Sequence, residues 1–320
     1  MSASTHLPAG ITVFERGWLS SNNILICGKQ STALIDSGYN THATQTQLLV
    51  EQGLGGRPLD VLVNTHLHSD HCGGNAMLQK RYPALKTHIP PGLSESVRNW
   101  DPIALTYTPT GQHCPQFSFD GVLVSGSEIN LGGWTWQVHA APGHDPHSVV
   151  LFEPTSRILV SADALWEHGF GVVFPELEGD DAFAHVGATI DVIESLAPRL
   201  VIPGHGAPFT DVAKSIAVAR KRLGAFLNHP ADHDTYAVKA LLMFKLLEFQ
   251  RIELSTLIAW AESTPFFAAI HARNFPAVDS SEWVAGLVST LVKSGAASRE
   301  GFMIRPAVRV RSQNSSMRTR

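Results

Sequence analysis

Cysteine is scarce in this 320-residue chain. Only Cys27, Cys72 and Cys114 occur, an odd and widely spaced set that builds no disulfide framework. The reading that follows is a reducing, cytoplasmic setting. No apolar run approaches the ~20 residues of a membrane-spanning helix. The opening 1-MSASTHLPAG-10 has neither the basic start nor the apolar segment of a secretory signal. A net charge of −4 gives no general pull toward nucleic acid or an anionic membrane. Apolar residues are plentiful: 44% hydrophobic against 16% charged describes a compact chain with a sizeable core, enough for one large domain or two ordinary ones.

The first half reads as an alternation of strands and helices. Ile11–Phe14, 23-NILIC-27 and 32-TALID-36 are short strand-like runs, punctuated by Gly28 and 37-SGYN-40. Asn23 and Asp36, near the ends of these strands, read as structural, with hydrogen-bonding support of a site as the alternative. Residues 41–52 carry apolar positions at helical spacing and stop near 53-GLGG-56. A β-branched run, 60-DVLVN-64, follows. Strands are expected again at 121–126, 134–142, 148–153 and 157–163, then a helix over 181–197 and a strand at 199–205. This is an α/β pattern up to about residue 225.

The character then changes. Residues 235–261 read as one long helical stretch, 264–276 as a Pro-containing loop, and 280–295 as a helix with a serine at its start and a glycine at its end. Residues 296–306 suggest a small hairpin. Helices followed by a hairpin predict a winged-helix-like module over 226–306, after a catalytic domain over 1–225, with a polar, disordered tail over 307–320. Such modules often bind DNA, but between Asp234 and Pro306 seven Lys/Arg meet seven Asp/Glu. Without a basic excess, phosphate binding is disfavoured and a packing or substrate-covering role is preferred.

The densest chemistry lies in 64-NTHLHSDHCGGN-75, where His66, His68, Asp70 and His71 fall within six residues before a Gly-Gly pair. Alone, this could be a metal site, a proton relay or chance in a chain with 16 histidines. Three further candidates end strands: His144 in 142-PGHDPHS-148, Asp163 in 157-RILVSAD-163, and His205 in 199-RLVIPGH-205. Strand carboxyl ends in open α/β sheets converge on binding sites. Seven such residues in this arrangement point to metal. Cys72, directly after the cluster, reads as packing.

The ordered set HLHSDH, PGH, SAD and PGHG resembles the metallo-β-lactamase-fold hydrolase superfamily, over roughly residues 10–225. The resemblance implies a four-layer αβ/βα sandwich. It implies one metal held by His66, His68 and His144, and a second held by Asp70, His71 and His205, with Asp163 bridging. Two zinc ions suit these donors, iron or manganese being alternatives. The implied reaction is attack on a carbonyl or phosphorus centre by a hydroxide between the ions, with Asp70 orienting it and managing the proton.

Within the superfamily, the intact HxHxDH and bridging Asp resemble thioester, lactone and phosphodiester hydrolases rather than true β-lactamases. Hydroxyacylglutathione hydrolases share the motif, but no basic glutathione pattern is found in 226–306. The lactamase-β-like group with a winged-helix C-terminal module is similar in architecture, and its GFG-like segment resembles 163-DALWEHGFGVVFPE-176. That group includes acyl-thioester hydrolases and a single-strand-specific endoribonuclease. Trp166, His168, Phe170 and Phe174 are candidates for an apolar substrate pocket, with core packing as the alternative. His147 is a candidate hydrogen-bonding support for the ligands. The leading expectation is a di-zinc hydrolase of an acyl thioester of acyl-CoA or glutathione type, with a homodimer as an option and no membrane or nucleic-acid partner. A ribonuclease, a lactonase and a non-catalytic metal module are the rivals.

Overall fold

The computed structural model of the protein describes residues 7–179 and 181–307. Strands β1 (Ile11–Phe14), β2 (Asn23–Cys27) and β3 (Thr32–Ile35) form an antiparallel meander. Helix α1 (Ala43–Leu54) carries the chain to β4 (Val61–Val63), parallel to β3. Short helices α2 (Ser69–Cys72) and α3 (Asn75–Arg81) lead to β5 (Lys86–Ile89). Helices α4 (Ser94–Asn99) and α5 (Tyr107–Thr110) then precede β6 (Gly121–Val122), the last strand of a six-stranded sheet ordered β1 to β6.

The second sheet begins with β7 (Glu128–Leu131), β8 (Trp134–Ala140), β9 (Val149–Glu153) and β10 (Ile158–Ala162), each antiparallel to the last. After α6 (Pro175–Glu178) and α7 (Ala182–Leu196), β11 (Leu200–Pro203) adds to it parallel to β10, and α8 (Val212–Asn228) follows.

Side-chain alternation explains why these strands stack as layers. In β2, Ile24 and Ile26 join a core between the sheets with Val138, Leu151, Val160 and Ile202. Leu25, on the opposite face, packs with Leu34, Val50 and Leu54 beneath α1. Likewise Val150, Phe152, Leu159 and Val201 face α7 and α8 through Val186, Ile190, Ile216 and Ala219. Strands buried on both faces must be apolar at nearly every position, and β9 and β10 are buried throughout. The result is the αβ/βα four-layer sandwich. A one-residue slip in any central strand would exchange its two faces.

Beyond α8 come α9 (Pro230–Phe249), β12 (Ile252–Glu253), α10 (Leu254–Ser263), α11 (Pro265–Asn274), α12 (Ser280–Lys293) and the hairpin β13 (Ala297–Glu300) and β14 (Met303–Pro306). Their strands form a separate sheet ordered β12-β14-β13. A hydrophobic cluster of Leu242, Leu257, Phe266, Val284 and Ile304 holds them together, and Phe174 from the preceding segment joins it.

Three local expectations need correction. The helix over 235–261 is broken, because Gln250 caps α9 at φ 59 and Ile252–Glu253 pair with β14. The loop over 264–276 is instead α11, whose Pro265 stands in the first turn, where a missing N–H costs nothing. Helix α12 is capped by Asp279 rather than by a serine; its carboxylate accepts from the Ser281 and Glu282 amides. The tail lies, from residue 308, outside the described residues. Among the described residues no helix is long and apolar enough to cross a membrane.

Candidate metal centre

Four strand ends meet at one place. Asp36 follows β3, Asp163 follows β10, and His66 and His205 come shortly after β4 and β11. Because β3 and β4 are parallel, as are β10 and β11, the carboxyl ends within each pair lie side by side. Asp36 and Ala162 both adopt left-handed backbone, at φ 57 and 47, unfavourable for residues other than glycine. The turn at Asp36 is stabilised by what surrounds it: its carboxylate accepts from the Thr65 amide and hydroxyl at 2.9 and 2.8 Å.

All seven predicted ligands come together, in two groups. His66, His68 and His144 form one, and Asp70, His71, Asp163 and His205 the other; in each, one donor atom per residue lies within 4.8 Å of the rest. Oδ2 of Asp163 lies between them, 3.4 Å from His144 Nε2, 3.5 Å from His71 Nε2 and 3.7 Å from His205 Nε2. Its other oxygen accepts from the Trp166 indole N–H at 3.0 Å.

Three of the rings are turned by a hydrogen bond on the far side. Nδ1 of His144 meets the Val172 carbonyl at 2.5 Å, Nδ1 of His205 the Gly17 carbonyl at 2.9 Å, and Nδ1 of His71 the Asp36 carboxylate at 2.8 Å. This leaves Nε2 of all three directed inward. Two glycines permit the crowding. A Cβ at Gly204 would sit 2.1 Å from Asp163 Oδ1, and one at Gly171 would sit 2.5 Å from His144 Nδ1.

The residues fit a divalent metal. Nε2 of His66 and Nε2 of His71 are buried without a hydrogen-bond partner, a cost that a bound ion would remove. Imidazole and carboxylate donors suit zinc and its first-row neighbours. Electrostatics divide the groups. Burial, then the neighbouring histidines, hold His66 well below its ordinary pKa, and burial with His68 pushes His144 down to about 4, so both rings are bare donors. At His71, burial is outweighed by Asp163, Asp36 and Asp70, which raise its pKa well above the ordinary value. Burial of Asp163 is in turn overcome by His205 and His71, keeping its carboxyl well below the usual range.

The proposed pocket residues separate. Trp166 borders the site, packing edge-on against His205 at 5.5 Å, whereas Phe174, 6.4 Å from the His68 ring, is buried in the C-terminal hydrophobic cluster. His168 instead projects into solvent, because Trp166 and Gly169 close a tight turn with Glu167 and His168 at its tip. Phe170 belongs to the core beneath α7 and α8. His147 packs over Gly92, and no hydrogen bond among the described residues joins its ring to a ligand. Its neighbour Asp145 comes nearer, with Oδ2 3.9 Å from His68 Nε2.

Sequence reasoning alone leans to a structural role for Asp36, with support of the ligands as the alternative, and gives no role to Asp145 or Trp18. A carboxylate ending a strand just ahead of the motif is a usable signal for Asp36. The backbone carbonyls of Gly17 and Val172 offer none.

Comparison with known proteins agrees with this geometry. The family model for the Metallo-beta-lactamase superfamily matches residues 16–205, well over half the chain and a span that ends on His205. The chain belongs to the metallo-beta-lactamase superfamily. Its donor set supports a metal-dependent hydrolase of that superfamily. Among relatives, it is 26% identical over 200 residues to the probable metallo-hydrolase YqgX of Bacillus subtilis, covering 61% of this chain and 89% of that protein. It is 27% identical over 221 residues to acyl-coenzyme A thioesterase MBLAC2 of Gallus gallus, covering 62% and 79%. The fold matches a metallo-beta-lactamase family protein of Thermus thermophilus with a TM-score of 0.56 and 18% identity, over 94% of this chain and 99% of that one.

Proposed function

We propose that this protein is a cytoplasmic di-zinc hydrolase of acyl thioesters. The observation that carries the reading is the place of Asp163 Oδ2 between two complete donor groups. When bound, the two ions supply an acidified water and positive charge for the developing oxyanion. The chain's own residues do the rest. His66, His68 and His144 would hold the first ion, while Asp70, His71 and His205 would hold the second. Asp163 serves both. Asp70 Oδ2, 3.1 Å from His205 Nε2 and slightly exposed, would orient the attacking water and take its proton.

The thioester is favoured by the similarity to a protein named an acyl-coenzyme A thioesterase. It is also favoured by the apolar surface of Trp166 beside His205. Residues 226–306 are read as a winged-helix-like module, supported by their own hydrophobic cluster and three-stranded sheet, and used for packing rather than nucleic acid.

The test is thiol release from acyl-CoA and acyl-glutathione by zinc-loaded protein. Asp70→Ala should lower turnover at least about a hundredfold, within the range for a positioned acid–base group. Cleavage of single-stranded RNA without thiol release would replace this reading with the nuclease one.

A further inference from the structure

Trp18 is the most conspicuous apolar group beside the centre. It is 60% exposed, yet its indole stacks on the ligand ring of His205 at 5.5 Å with only 12° between planes. Trp166 meets it edge-on at 5.2 Å. Two indoles thus form a continuous apolar wall on the His205 side of the cleft.

The wall is held rigidly. The loop joining β1 to β2 is fastened on both sides of Trp18. Before it, the Gly17 carbonyl accepts from His205. After it, the Asn22 amide donates to Gly204, and the Asn22 side chain donates to the carbonyls of Pro203 and Gly206. Trp166 is fixed by its N–H on Asp163. A large apolar face kept in water, backed by a ligand and locked in place, is preorganised to receive something.

We propose that Trp18 and Trp166 select the acyl group of the substrate, favouring aryl or medium-to-long alkyl chains over acetyl. This rests on the thioester reading and deepens it. The choice of acyl group over thiol follows from the chemistry of the wall. The negative π faces of indoles give nothing to the phosphates or carboxylates of a CoA- or glutathione-type thiol, whereas an uncharged chain or ring loses water against them.

Two measurements test it. In the first, kcat and KM are compared for acetyl-, octanoyl- and benzoyl-CoA with wild type, Trp18→Ala and Trp18→Phe. The octanoyl-to-acetyl ratio of kcat/KM should fall roughly ten- to a hundredfold in Trp18→Ala and largely recover in Trp18→Phe. An equal loss for all three substrates would make Trp18 merely structural and overturn the proposal. In the second, octanoate, benzoate and acetate are titrated while tryptophan fluorescence is followed, with Trp18→Phe as the subtraction. Saturable octanoate binding sensed by Trp18, in a protein that releases no thiol, would keep the wall and discard the thioester reading. An unchanged octanoyl-to-acetyl ratio in an active protein, or absence of that binding in a protein that releases no thiol, refutes the wall.

Discussion

Asp36 and His71 stand 35 residues apart in sequence, and the carboxylate of one lies 2.8 Å from Nδ1 of the other. The pair converts a strand-end residue into a support for the second donor group. In Asp36→Asn the hydrogen bond can persist but the charge is gone, so His71 becomes a weaker donor. Metal affinity should fall roughly 10- to 100-fold. Competition against a chromophoric chelator measures it.

Metal content should follow the two-group geometry. Wild type, loaded with zinc and dialysed, should retain two ions per chain, and His66→Ala should retain one. Asp163→Ala should weaken both, because Oδ2 approaches donors of each group. Elemental analysis of the three proteins decides this. Equal loss in His66→Ala and Asp163→Ala would contradict a shared carboxylate.

Two glycine substitutions should act in opposite directions. Gly204→Ala places a methyl 2.1 Å from Asp163 Oδ1, and overpacking of this kind costs about 1–3 kcal/mol, with metal binding lost alongside. Gly224→Ala, within α8 and with nothing near its added methyl, should stabilise by about 0.5–1 kcal/mol. Thermal unfolding of both variants checks the contrast.

Glu153, at the end of β9, gives a pH dependence away from the metal. Burial opposes its charge, but donors from Ser156 and Thr155 outweigh burial and hold its pKa below the ordinary 4.5. A depressed folded value means stability present above pH 4.5 and lost as pH falls through the folded value. Glu153→Gln should therefore be less stable than wild type at neutral pH, and the gap should shrink as pH falls from 4.5 through the folded value. Denaturant midpoints from acid to neutral pH measure it.

The α/β pattern and the candidate donors near strand ends were legible in the sequence for a shared reason, whereas the four-layer sandwich and the division of the seven into two groups followed from the family resemblance. Strands buried on both faces need unbroken apolar runs, and donors placed at strand ends inherit that clear punctuation. The C-terminal elements were less legible. A proline in the first turn of α11 looks like a loop signal, and the left-handed Gln250 carries no warning that a helix stops. In 163–176 the four aromatic or histidine candidates lie too close together for sequence spacing to orient them. A turn closed between Trp166 and Gly169 sends His168 outward and Phe170 into the core. Trp18 was hidden for another reason: its partner ring, His205, is reached only through the fold.

The segment after Asp163 also joins two fates. The Val172 carbonyl aims His144, and two residues on, Phe174 is buried against Phe266, 5.2 Å away in the C-terminal cluster. Arg273 of α11 grips Glu176 and Asp234 at the same seam. Melting of the last helices would thus slacken the hold on the His144 imidazole. These contacts lead to an expected outcome: zinc added to the folded chain should raise the unfolding temperature of both halves together, as a single transition.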